Sequence, residues 1–133
     1  VHIVDALRTT LWKTAIPNST RAVSFVLHGL ARRYLATSNN PAFAHSSELG
    51  VYLTLYATLI LNGDQRSKTI KPHHKMTRER FVANNASIDS LPNAEYLGTV
   101  FDCIHGHPLP MKGWQTAADS LVLPPTLSKR LAT

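Results

Sequence analysis

The stretch I-P-N-S-T-R, residues 16–21, carries a small polar side chain through a turn to the start of a helix. Pro17 fixes φ and lacks an N–H, and Asn18, Ser19 and Thr20 are all suited to capping a helix N-terminus. Ser19 can be a simple cap or the working tip of a turn, and the residue types alone leave both open. Other groups with chemical potential are few. His73-His74 and His105-Gly106-His107 offer imidazole to a transition metal, but neither has a cysteine partner or the spacing that sets two rings on one helix face. They read as loop histidines, and neither a metal nor a cofactor is expected. Cys103, the single cysteine, falls on an apolar helix stripe, which suits core packing better than nucleophilic attack. No glycine-rich phosphate loop is present. Asn18-Ser19-Thr20 and Asn85-Ala86-Ser87 match the glycosylation acceptor pattern, although the cysteine content argues against its use.

The elements that position these groups read as helices separated by breaks. A first helix spans residues 3–13, with Ile3, Val4, Leu7 and Leu11 on one stripe. A second follows the opening turn and ends near Ala36, with Val23, Val26, Leu27, Leu30, Ala31 and Tyr34 at helical spacing. Pro41 forbids its continuation. The third, residues 47–62, is capped by Ser46 or Ser47, and Glu48 favours its positive end. It is apolar almost all round, which marks a central helix buried by its neighbours. A polar loop over residues 63–75 precedes a short helix to Asn85 capped by Thr77. A last helix, residues 94–104, carries Leu97, Val100, Phe101 and Ile104 inward. The fold class is all-α, a bundle of about five helices over residues 1–110. Residues 111–133, with Leu123-Pro124-Pro125, read as a linker or arm.

With 133 residues, 44% of them hydrophobic and 17% charged, the chain suits one globular domain with a modest core. No apolar run approaches the length of a membrane span. The chain starts at Val1 without a leader, so it is expected to be cut from something longer. The lone cysteine fits a cytoplasmic setting. A formal charge of +6 favours acidic partners: nucleic acid, an anionic membrane surface or an acidic protein face. Because the arginines and lysines are spread along the chain without interleaved aromatics, nucleic acid is not the expected partner.

Several spaced motifs add a resemblance. Y-A-T-L-I-L-N-G-D from Tyr56, K-M-T-R-E-R-F-V-A-N-N from Lys75, L-P-N-A-E-Y-L from Leu91 and V-F-D-C-I from Val100 occur in this order. They resemble the second half of a Sec-seven domain, the catalytic module of guanine-nucleotide exchange factors for Arf GTPases. Met76, Thr77, Phe81, Asn84, Asn85, Leu91, Pro92, Phe101 and Asp102 hold the family's places. Upstream, I16-P-N-S-T-R-A-V-S24 matches the family's L-P-G-E-A-Q-K-I-D, and L30-A-R-R-Y34 its F-A-x-R-Y. The resemblance implies a domain of about ten helices, of which this chain supplies the last five. An apolar face on the first three helices is then expected to be covered by the missing half, by self-association or by another chain.

The resemblance also implies a role: a regulator of an Arf-type small GTPase, acting at the cytoplasmic face of Golgi, endosome or plasma membrane, with no covalent chemistry. The GTPase-binding residues it implies are Pro17, Asn18, Arg21, Tyr52, Asn62, Asp64, Gln65, Met76, Asn84 and Asn85. The family's catalytic glutamate, the fourth residue of L-P-G-E, corresponds to Ser19. In the family this carboxylate competes with the nucleotide β-phosphate. Two unit charges about 4 Å apart at an effective dielectric near 20 interact by roughly 4 kcal/mol. At about 1.4 kcal/mol per tenfold, its loss costs on the order of a thousandfold in rate. A serine hydroxyl cannot supply that repulsion, and Arg21 adds a cation that would attract phosphate. Exchange is thus expected to be weak or lost. The alternative is a structural or scaffolding helical module that binds a partner without exchange.

Overall fold

Small polar side chains start the helices. The computed structural model describes residues 2–13, 19–44, 46–88 and 91–110. Among these it has five α-helices: α1 (Ile3–Lys13), α2 (Thr20–Thr37), α3 (Glu48–Arg66), α4 (Arg78–Ala86) and α5 (Ala94–Gly106). Ser19 Oγ accepts from Ala22 N, Ser47 Oγ from Gly50 N, Thr77 Oγ1 from Arg80 N and Asn93 Oδ1 from Tyr96 N. Each satisfies one orphan N–H of a helix start. The caps expected at Ser47 and Thr77 are therefore in place.

Helix α3 is the centre of the bundle. It is buried without interruption from Gly50 to Leu59, as its all-round apolar sequence requires. Its two buried threonines cost little, because Thr54 Oγ1 donates to Gly50 O at 2.8 Å and Thr58 Oγ1 to Thr54 O at 2.7 Å. Helix α2 packs along one side of α3, α5 along another, and α4 leans mainly on α5. Ile3, Val4 and Leu7 of α1 and Val23, Leu27, Ala31 and Tyr34 of α2 enter the same core. The first three helices thus bury their stripes against one another. Apolar exposure among the large described side chains comes down to Trp12, Phe25 and Leu49, one from each of these helices.

Two helix ends differ from the sequence expectation. Helix α3 runs four residues past Asn62, through Asn-Gly-Asp, which otherwise signals a turn. Asn62 and Gly63 are buried there. The Asn62 amide is occupied by a distant backbone N–H, so it does not compete with its own helix, and packing overrides local preference. Helix α5 continues to Gly106 and takes in His105, whose ring stacks on Phe101. The arm expected at residues 111–133 lies outside the described residues. Among the described residues no helix is long and apolar enough to cross a membrane.

At the start of α1, His2 replaces the usual small cap. Its Nδ1 accepts from Val4 N at 3.1 Å, its Nε2 meets Thr99 Oγ1 at 2.9 Å, and the ring stacks on Tyr96. Accepting at Nδ1 requires the neutral imidazole. Burial pushes the His2 pKa below its ordinary value, partly offset by Asp5. Folding therefore favours the unprotonated ring. That contribution is fully present above the unfolded pKa of about 6.5 and fades as pH falls through the lower folded value. The urea midpoint should drop between neutral and mildly acidic pH, and His2→Gln should flatten that dependence. An equally steep pH profile in His2→Gln would remove His2 as the source.

Candidate functional site

A concavity of about 140 Å³ opens between α3 and α4. Ala57, Ile60, Leu61 and Asp64 of α3 line it with Met76, Phe81 and Asn85. The four α3 residues stand at helical spacing, so they share one face. The walls are apolar except at two points. Asp64 sits at one, and at the other Asn85 buries an Oδ1 with no hydrogen-bond partner among the described residues. Its Nδ2 is spent on Phe81 O at 2.7 Å. A ligand with an apolar body and one N–H or O–H donor matches this lining, because the donor would satisfy an acceptor that is costly to leave alone. Two larger hollows, against α2 and its following turn, are lined by other residues.

Asp64 organises the rim. Its Oδ2 accepts from Met76 N at 2.7 Å and from Gln65 Nε2 at 3.0 Å. Gln65 Nε2 also donates to Met76 O, Gln65 Oε1 meets His105 Nδ1 at 3.0 Å, and Lys75 Nζ donates to Gln65 O at 2.9 Å. The end of α3 therefore grips the far end of the loop that follows it and sets Met76 against the concavity. Charge-assisted bonds of this kind are the stronger ones.

The other nominated residues separate into three groups. Asn62 is fully buried, and its Oδ1 accepts from Leu109 N at 2.8 Å while its Nδ2 has no partner among the described residues. Arg66 holds Leu109 O and Arg8 holds the carbonyls of His107 and Pro108. Asn62 thus works inside the chain, as one of three clamps on residues 107–109. Tyr52 is 6% exposed, hydrogen-bonded to Ser24 and stacked under His28. Burial raises its pKa, and burial beside Tyr52 pushes the Tyr56 phenol up to about 12. Asn84 is half-buried on α4, outside the concavity, whereas Asp64, Met76 and Asn85 line it directly.

Ser19 is exposed and its hydroxyl is engaged as the α2 cap at 3.1 Å from Ala22 N. Arg21 is exposed on the first turn of that helix. Pro17 and Asn18 lie outside the described residues. Burial raises the Cys103 thiol pKa, which disfavours a thiolate. Sequence reasoning missed Ala57, Ile60 and Leu61, although their spacing with Asp64 was the available signal. It also missed His105, whose link to Gln65 depends on the extended end of α5.

Comparison with known proteins agrees with this architecture. The Sec7 domain profile matches residues 1–109. The ADP-ribosylation factor guanine nucleotide-exchange factor sec72 of Schizosaccharomyces pombe is 33% identical over 120 residues, covering 89% of this chain and 6% of that protein. Cytohesin-2 of Homo sapiens is 29% identical over 111 residues, covering 81% of this chain and 26% of its own length. The chain therefore spans about a quarter or less of these relatives. Among solved structures, a chimera of the Sec7 domain of Rickettsia prowazekii RalF and the capping domain of Legionella pneumophila RalF superposes with a TM-score of 0.73. That likeness, at 21% identity over 86% of this chain and 32% of the chimera, supports the all-α fold. By the profile match over most of its length, this chain belongs to the Sec7 domain family.

Proposed function

We propose that this chain is the GTPase-facing part of an Arf-directed exchange domain, one that holds its GTPase and releases nucleotide weakly or not at all. The observation that carries the reading is the apolar concavity between α3 and α4, with Asp64 and the pinned Met76 on its rim. It offers the buried anchor pocket with a polar edge that a protein partner needs. The relatives whose names specify exchange on ADP-ribosylation factor supply the class of partner. The weakness of exchange rests on Ser19, an uncharged cap where the family resemblance calls for a carboxylate. The reading places the protein on the cytoplasmic side of a membrane compartment.

Ile60 tests it. Ile60→Asp puts a charge into the apolar wall while Ile60 itself is only half-buried, so the fold should survive. Affinity for a nucleotide-free Arf GTPase should fall by roughly thirtyfold, or about 2 kcal/mol. Titration calorimetry with circular dichroism as the fold control reads this directly. Unchanged affinity in a folded variant would move the partner surface elsewhere.

A scaffolding role, with partner binding and no nucleotide dependence, is the second reading, and the Ser19 cap favours it. Equal affinity for the nucleotide-bound and nucleotide-free GTPase would select it.

A further inference from the structure

The loop between α3 and α4 concentrates charge. From Arg66 to Lys75 it holds Arg66, Lys68, Lys71 and Lys75, and no carboxylate occurs between Asp64 and Glu79. Lys68, Lys71, His73 and His74 are exposed. The Lys68 and Lys71 side chains have no ion pair or hydrogen bond among the described residues, where the ion pairs are Arg32–Glu48 and Arg78–Asp102. Uncompensated charge of one sign on a small area raises a local potential that distant carboxylates do not cancel at physiological ionic strength.

The loop is also built rather than slack. Ser67 is buried and its Oγ accepts from Thr69 N and meets Thr69 Oγ1. A tight turn over Pro72–His74 returns His74 N to Lys71 O. Asp64 and Gln65 then fix the far foot at Lys75 and Met76. These bonds fix the turn that carries the exposed Lys68 and Lys71, while Arg66 and Lys75 bond back to the carbonyls of Leu109 and Gln65 and Ile70 is half-buried.

From this we infer that the loop over residues 66–75 is an electrostatic docking surface for the anionic headgroups of a membrane. The composition selects this partner. A protein interface would want an apolar or large aromatic centre, and single-stranded nucleic acid would want Phe, Tyr or Trp faces for stacking; the exposed residues here are Arg, Lys, Thr, Pro and His. The three concavities described above are lined by residues outside this loop. A lamellar array of charge needs only exposed cations, each adding about fivefold, or about 1 kcal/mol, to binding at an anionic surface.

Vesicle co-sedimentation of the full chain tests this without any GTPase, so its outcome is independent of the proposed function. The chain should bind mixed phosphatidylcholine–phosphatidylserine vesicles, ignore pure phosphatidylcholine, and release as ionic strength rises. Lys68→Ala with Lys71→Ala should weaken binding about twenty-five-fold. Lys13→Ala with Arg33→Ala removes the same net charge from exposed positions elsewhere and should change binding less than about twofold. Equal losses in the two double variants would overturn the assignment in favour of net charge alone. So would the absence of vesicle binding, displacement by micromolar soluble inositol phosphate, or tighter binding to random duplex DNA than to vesicles.

Discussion

On the proposed function, Ser19→Glu should raise nucleotide release from a bound Arf GTPase by up to about a thousandfold. The bound comes from a carboxylate facing a phosphate at about 4 Å, worth roughly 4 kcal/mol at an effective dielectric near 20. Two features of the chain reduce the gain. Arg21, exposed on the first turn of α2, partly neutralises the new charge, and the longer side chain gives up the cap on Ala22 N. Losing that cap costs about 1 kcal/mol of stability, as should Ser19→Ala, which leaves release at the wild-type rate. The measurement is fluorescent nucleotide release from a panel of Arf proteins at matched magnesium. If the folded Ser19→Glu protein releases nucleotide no faster than wild type on every GTPase, the turn has ceased to be an exchange element. The scaffold reading then leads.

Asn62→Ala destabilises the chain by about 2–4 kcal/mol. It leaves the buried Leu109 N–H without its acceptor and opens a small void beneath Leu109, which is fully buried. Urea unfolding reads the loss as a lower midpoint at unchanged slope. Per folded molecule, GTPase affinity should stay within about twofold of wild type, because Asn62 faces the interior. A variant as stable as wild type that fails to bind GTPase would instead give Asn62 the direct contact that the family resemblance implies.

The helices were legible because their signals are local. The apolar stripe of α1, the all-round apolar run of α3 and the caps at Ser47 and Thr77 depend on spacing and on one side chain at a boundary. What sequence alone did not show depends on residues far apart. Asn62 looks like a turn residue until Leu109, forty-seven positions away, takes up its amide. Asp64 looks like a loop acid until Met76 N closes on it. The cations of residues 66–75 looked spread along the chain, and only the fixed loop shows them as one surface. Ser19 was the hardest case. A cap and a catalytic tip ask for the same backbone, and only the side chain's charge separates them.

Asp64 belongs at once to the wall of the α3–α4 concavity and to the foot of the loop. One carboxylate therefore ties two surfaces into a single thermodynamic unit. If membrane contact shifts the foot of the loop, Met76 shifts with it and changes the wall that a partner would meet. Reciprocity then fixes the reverse effect without further assumptions. Whatever factor membrane contact contributes to GTPase affinity, GTPase occupancy must return to membrane affinity in equal measure. A replacement at Asp64 that cannot accept from Met76 N would loosen the concavity wall and the foot of the loop together.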